Sequence, residues 1–252
     1  MNEFTDQIAQ LYDRQELSRA GVAAGFYEGS DWLNFGYWRS DTKNIVEACE
    51  NLVDEILALV PLARGLILDV GCGKGLTARR LLNHFDAADI FGINISREHL
   101  IKCEVNAPGC TFLEMDAAQM QFPDESFEHV ISVEAAFHFR TRSKFFEEAF
   151  RVLRSGGSLM LSDILTDANT HHQPPENRIG DIESYKDLYA AAGFSKVRVI
   201  DVTEQCIGGF RRAVLRYLAT KVTPAVLDMM SAAYASHGSK KQIYVLACAT
   251  KP

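Results

Sequence analysis

A carboxylate and three alternating glycines stand together in Asp69-Val70-Gly71-Cys72-Gly73-Lys74-Gly75. Glycine accepts positive φ and lets a ligand approach the backbone closely. A helix that starts just after such a turn offers free N–H groups to an anionic group. Asp69 adds a condition: a carboxylate beside the turn repels a pyrophosphate and suits a ligand that carries an ammonium group. The spacing is G-x-G-x-G, with Leu76 where a nicotinamide-binding G-x-G-x-x-G places its third glycine, and the phosphate-loop pattern G-x-x-x-x-G-K-[ST] is absent. Other side chains are of types that move protons. His138 closes Glu134-Ala135-Ala136-Phe137-His138, and Asp163 follows Leu159-Met160-Leu161-Ser162. An ordinary imidazole titrates near neutrality, which suits a general base.

These residues need elements to bring them together. The stretch 42–60 sets apolar residues at three- and four-residue intervals, one face of an amphipathic helix, with Asp41 or Thr42 as its cap and Pro61 beyond its end. Short apolar runs then alternate with helical stretches. Strands are expected at 66–70, 89–93, 111–115, 127–133, 158–162, 196–202 and 242–249. Helices are expected at 75–85, 96–106, 141–154 and 184–192, with a break at Ser155-Gly156-Gly157. Alternation of this kind predicts an α/β fold: a Rossmann-like, seven-stranded, mostly parallel sheet with helices on both faces. Such sheets bind ligands at the C-terminal ends of their strands, where Asp69, Glu134, His138 and Asp163 all fall. About forty residues of helical pattern precede the last strand, too long for a plain connection. The expected organisation is an N-terminal helical lid region at 1–60, a cofactor-binding core at 61–203 and 242–252, and a helical cap insert at 204–241. Phe210, Leu215, Leu218, Met229, Met230 and Tyr234 of that insert are expected to roof an acceptor pocket.

LILDVGCGKGLTARRLL resembles the first motif of class I S-adenosylmethionine-dependent methyltransferases. FGINISREHL, FLEMDAAQMQFPDESFEHVISVEAAFHF and RVLRSGGSLMLSDIL resemble the family's later strand motifs, in order and spacing. LNFGYW is similar to the N-terminal lid of small-molecule members that act on sugars, amines, tocopherols and other natural products. The resemblance covers Leu33 to about Ile164 and implies S-adenosylmethionine as cofactor, leaving S-adenosylhomocysteine as product. It implies that Asp69, Gly71 and Gly73 hold the methionine end. Asn94 then stands where the family often has an acidic ribose ligand, and Ile95 packs on the adenine. Asp116 accepts from the adenine amino group, and the Ala117 N–H donates to the ring. Tyr37 and Trp38 are expected to close over the cofactor, where aromatic faces attract a sulfonium, with core packing as their bland alternative; Tyr27 is a weaker candidate of that kind. In similar sugar and phenol methyltransferases a His and an Asp at the matching places serve the acceptor hydroxyl. His138 is accordingly expected to act as base, with Asp163 orienting it or the substrate. Glu134, otherwise a solvated strand-end charge, is the third catalytic candidate.

Composition narrows the field. Of 252 residues, 26 are Lys or Arg and 33 are Asp or Glu, a net charge of −7, so no global field draws the chain to nucleic acid. No apolar run reaches the roughly 18 residues of a membrane span, so no membrane insertion is expected, and the N-terminus lacks a signal-peptide form. The six cysteines form no C-x-x-C pair and read as reduced thiols of a cytoplasmic protein. No acidic cluster has metal-ligand spacing, so no metal is expected. His171 and His172 lie in a polar loop, within reach of the site or merely solvated, while His84, His99 and His129 suit surface or core roles. The reading is a small-molecule O-methyltransferase, with a small-molecule acceptor and a homodimer as its candidate partners. The alternatives are a C- or N-methyltransferase of a prenyl, quinone, sterol-like or amine acceptor, a catalytically silent cofactor-binding protein, and a nicotinamide oxidoreductase.

Overall fold

The run Leu66–Val70 has no polar break before the glycine turn, and the strand it forms, β1 (Ile67–Val70), is buried at every residue. It lies inside a seven-stranded sheet with β2 (Ile90–Asn94), β3 (Thr111–Glu114), β4 (Phe127–Val133), β5 (Leu153–Leu165), β6 (Ser195–Asp201) and β7 (Ile243–Thr250), in the order β3-β2-β1-β4-β5-β7-β6. β7 pairs antiparallel with β5 and β6; the other pairings are parallel. The computed structural model describes residues 7, 8, 10, 25–61, 65–168, 173–237 and 242–252, and for 230 and 233–237 the backbone alone.

The helices are α1 (Ile45–Leu57), α2 (Leu76–Leu81), α3 (Arg97–Asn106), α4 (Arg142–Val152), α5 (Ile182–Ala191), α6 (Gly209–Ala219) and α7 (Pro224–His237). They cover two faces with separate cores. One core gathers Ile45, Leu52, Ile56, Ala78 and Ile67 under α1 and α2; the other gathers Leu68, Val70, Phe145, Phe146, Tyr185 and Tyr189 under α4 and α5. Strand side chains alternate faces, so Ile67 and Leu68 belong to opposite layers and Asp69 faces the same layer as Ile67. Among the described residues no helix is long and apolar enough to cross a membrane.

Of the boundaries that differ from the sequence expectations, three have a clear local reason. Asn44, rather than Asp41 or Thr42, caps α1 by accepting from the Glu47 N–H at 2.9 Å. Thr42 is engaged instead with Arg39 and Asn51. The expected break at Ser155–Gly157 lies within β5, where Gly156 takes a φ of +81° and its N–H donates to the Lys251 carbonyl. β5 also runs past Ser162 to Leu165, because β7 pairs along it as far as Leu165↔Ile243.

The extension of β5 moves Asp163 out of the crevice. Ile164 and Thr166 line the cavity described below, so Asp163, one residue before Ile164 and in step with Leu165, faces the opposite layer. There it is wholly buried, with the Arg142 Nε at 2.8 Å, the Tyr185 hydroxyl at 3.0 Å and its own chain's Ile164 N–H at 2.8 Å. The expectation that Asp163 shares the crevice with His138 is therefore corrected: it is the anion of a buried ion pair. Removing one partner of such a pair strands the other charge, which costs about 3–5 kcal/mol. Arg142→Met is expected to lose stability of that order, read as a lower urea midpoint with unchanged slope.

Candidate active site

A cavity of about 420 Å³ opens at the C-terminal ends of β1 to β5, across the point between β1 and β4 where the strand order reverses. Its floor comes from the residues that follow each strand: Gly71, Cys72, Gly73 and Lys74 after β1, Asn94 and Ile95 at the end of β2, Asp116 and Ala117 after β3, and Glu134 to Arg140 after β4, Ala136 excepted. Of the residues singled out in the sequence, Gly71, Gly73, Asn94, Ile95, Asp116, Ala117, Glu134 and His138 thus surround one space.

The glycine turn is as bare as its composition requires. Gly71, Gly73 and Gly75 have φ of +75°, +53° and +83°. A Cβ on Gly71 would sit 2.6 Å from the Ala135 Cβ, and one on Gly75 2.9 Å from the Cys103 Cα. The turn is therefore pressed between the segment after β4 and helix α3. Asn94 braces it by donating from Nδ2 to the Gly73 carbonyl at 3.2 Å and accepting the Ser96 N–H at 3.1 Å. The residue expected to face a ribose thus also ties the turn to the start of α3.

Asp69 does not line the cavity. Its side chain lies on the α1–α2 side of the sheet beneath the turn, 1% exposed, and neither carboxylate oxygen has a hydrogen-bond partner among the described residues. Burial without a counter-charge pushes its pKa up to about 8. A carboxylate left this way costs folding free energy. The arrangement is one that a cation seated at the turn would relieve, and a ligand with an ammonium end fits it.

Just after β4, Glu134 occupies a left-handed conformation, φ +48°, which few side chains adopt without support. Its Oε1 accepts from the Phe35 N–H at 2.8 Å and the Tyr244 hydroxyl at 2.5 Å. Enclosure outweighs these bonds and pushes its pKa up to about 7. His138 ends a short 3-10 turn, Ala136–His138, and its ring packs against that of Phe137 with centroids 4.2 Å apart.

The lid differs from expectation in which of its residues face the cavity. Asp31, Trp32, Leu33, Asn34 and Phe35 line it; Tyr37, Trp38 and Tyr27 do not. Trp38 is buried against α6, its Nε1 donating to the Phe35 carbonyl, and a Cβ on Gly209 would strike it at 2.4 Å. Tyr27 donates to the Asn34 carbonyl at 3.2 Å. The aromatics nearest the motif's end are thus packing residues that hold the segment carrying Trp32 and Phe35. Asp31 ties the same segment to the turn and to α3, through Lys74 at 3.3 Å and Asn106 at 3.0 Å.

The insert is corrected in the same way. Phe210 stacks on Phe35 at 4.8 Å, Leu218 is buried and Met229 is exposed, and neither these nor Leu215 line the cavity. The insert buttresses the lid from behind. The side chains of Met230 and Tyr234 lie outside the described residues, as do His171 and His172. His99, expected at the surface or in the core, is buried and lines the cavity, and Gln173 and Thr166 join it from beyond β5. The six cysteines are free thiols, with the Sγ atoms of Cys72 and Cys103 3.8 Å apart beneath the turn.

Residues 68–161 match the family model described as a methyltransferase domain. The chain is 34% identical over 140 residues to a 27-O-demethylrifamycin SV methyltransferase of Amycolatopsis mediterranei, covering 53% of this chain and 51% of that protein. It is 28% identical over 223 residues to methyltransferase GfsG of Streptomyces halstedii, covering 80% and 77%. The chain thus spans about half the length of the first relative and about three quarters of the second. Among solved structures, the [4+2]-cyclase SpnF superposes with a TM-score of 0.75 at 23% identity, over 98% of this chain and 97% of that one, a likeness of fold alone. The family match falls on β1 to β5, the segment that builds the cavity floor, and it is there that the chain is similar to the methyltransferases named above.

Proposed function

We propose that the protein moves a methyl group from S-adenosylmethionine to a hydroxyl oxygen of a small-molecule natural product, with His138 as general base. The observation that carries this reading is that His138 and the glycine turn line one cavity. The names of two relatives, 27-O-demethylrifamycin SV methyltransferase and erythromycin 3''-O-methyltransferase, support the oxygen acceptor.

The bare turn and the unpartnered Asp69 fit the cofactor. Gly71 and Gly73 would hold its amino-acid end above Asp69, Asn94 its ribose, and Ile95, Asp116 and Ala117 its adenine. When bound, the cofactor supplies a methyl carbon made electrophilic by positive sulfur. The chain's own task is alignment and proton transfer, and orientation alone is worth up to about 7–11 kcal/mol. Trp32, Phe35, Phe137 and Phe139 give the cavity apolar walls. His138 takes the proton from the acceptor hydroxyl at its imidazole nitrogen as the oxygen gains its new bond. The Glu134 carboxylate accepts from the Phe35 N–H and so ties that wall to the end of β4.

A second reading has one observation in its favour. Glu134 faces the cavity with a pKa near neutrality, so it suits proton removal from a carbon or nitrogen acceptor. Comparing His138→Ala with Glu134→Ala separates the two, since loss confined to the first supports oxygen chemistry.

The test is incubation with methyl-labelled S-adenosylmethionine and fractionated small metabolites, followed by identification of the labelled product. An O-methyl product from the parent and none from His138→Ala is expected. Tight binding of S-adenosylhomocysteine with no labelled product from any fraction would instead assign a silent cofactor-binding protein. On the cofactor side, Gly73→Val strains a φ of +53° and adds bulk at a position whose Cβ would already lie 3.3 Å from the Leu33 Cδ1. Isothermal titration is expected to find no binding of S-adenosylhomocysteine by that variant, and retained affinity in a folded variant would remove the turn from the site.

A further inference from the structure

The turn that carries His138 is held from behind by one side chain. Asn177 is wholly buried, and its Nδ2 donates to the carbonyls of Phe137 at 3.1 Å and Phe139 at 2.7 Å, the residues on either side of His138. Its Oδ1 accepts the Arg142 N–H at 2.8 Å. Its own carbonyl accepts from the Arg142 guanidinium and from the Gln173 Nε2. Two donors and an acceptor in one plane are what a carboxamide offers; an Asp in that place has no donor for either carbonyl. Arg142 is in turn fixed by both oxygens of Asp163 and by the Ile164 carbonyl.

From these contacts we propose that Asn177 is a positioning residue for His138. Fixing the Phe137 carbonyl fixes the peptide plane that enters His138, and fixing the Phe139 carbonyl holds the plane one residue beyond it; together they restrain the backbone that sets the His138 Cα–Cβ direction, and hence where the imidazole points in the cavity. The Arg142–Asp163 pair acts one step further back: it anchors the Asn177 backbone and the helix start at Arg142 to β5. Asp163 thereby regains a part in the site, at a distance and through two other residues, rather than by touching substrate. Gln173 lines the cavity and bonds the Asn177 carbonyl, so the same network reaches the acceptor wall. The inference rests on the reading of His138 as the base.

The experiment labels the full chain with 13C at histidine Cε1 and assigns His138 by the resonance lost in His138→Gln. Asn177→Ser is the test variant, because it shortens the side chain and removes the double donation without adding charge. The proposal expects the His138 resonance to shift or split while S-adenosylhomocysteine affinity stays at the parent value. With an acceptor in hand it expects kcat to fall by up to about a hundredfold, the scale of an ångström of misplacement. It also expects no further loss when Asn177→Ser is added to His138→Gln. An unchanged His138 resonance in folded Asn177→Ser overturns the proposal. Should that variant not fold, Gln173→Met is read on the same resonance: a shift supports the network and no shift overturns it. The resonance reports on Asn177 whatever His138 does, whereas full turnover by His138→Gln would remove the base and leave the resonance result standing.

Discussion

Asp69→Asn is expected to melt at a higher temperature than the parent without cofactor and to bind S-adenosylhomocysteine about ten- to a hundredfold more weakly. Both effects have one cause. In the folded chain the carboxyl is buried without a partner, and its pKa stands near 8 against 3.8 when exposed. Between those values the folded state holds a proton that the unfolded state has given up, so stability falls as pH rises from about 4 to about 8 and is level above that. At neutral pH this amounts to roughly 4 kcal/mol. A buried amide with poor partners costs about 1–3 kcal/mol in its place. The difference favours the variant by a few kcal/mol, a gain in Tm of roughly 5 °C or more for a chain of this size. The gap between variant and parent should widen from pH 5 to pH 8, and a scan of Tm against pH checks it. The loss of affinity follows from the proposed reading, in which the parent's carboxylate meets the ligand's ammonium as a charge-assisted pair worth about 1.5–3 kcal/mol. For the same reason the parent's affinity should rise towards pH 8, as Asp69 gives up its proton.

His138→Gln carries the second large effect. Removing a general base typically lowers turnover about 10²–10⁴-fold. Glutamine keeps bulk and polarity but accepts no proton, so the amino-acid and adenine ends of the site keep their contacts. The expected pattern is a fall in kcat of that size with cofactor affinity unchanged, measured by product release from labelled S-adenosylmethionine and by titration. Asp163→Asn should behave differently. It breaks the pair with Arg142 and weakens the bond from Tyr185, so its first symptom is a lowered unfolding midpoint. If Asp163→Asn lost turnover as steeply as His138→Gln with full stability, the assignment of Asp163 to the buried layer would be wrong.

The contrast between those two residues shows what a sequence can and cannot carry. The glycine turn is legible because it needs no distant partner: the residue types alone demand positive φ and close approach, and the chain adopts both at Gly71 and Gly73. The residues after each strand are legible for a related reason, since a parallel sheet sends all its C-terminal ends to one edge, which is how Asn94, Asp116, Glu134 and His138 come to surround one cavity. Asp163 falls outside that logic. Which face a strand residue takes depends on parity, and a strand that stops at Ser162 hides the fact that Asp163 is interior to it. The three extra residues of β5 exist because β7, some eighty residues later, pairs along them. The lid aromatics fail in another way. The segment from Asp31 to Trp38 has no element period of its own, so nothing local separates Trp32 and Phe35, which face the cavity, from Tyr37 and Trp38, which do not. For the insert, an amphipathic pattern tells that a face is covered and not by what; Phe210 is covered by the lid ring of Phe35. Asn177 gave no signal at all, because its importance lies in two carbonyls about forty residues upstream.

A crystal structure of the full chain with S-adenosylhomocysteine tests the central claim most directly. The account predicts the ligand's amino group over Gly71–Gly73, close enough to Asp69 to give that carboxylate its missing partner, with the adenine against Asp116 and Ala117. Ligand density that left the turn bare, or an amino group turned away from Asp69, would contradict it.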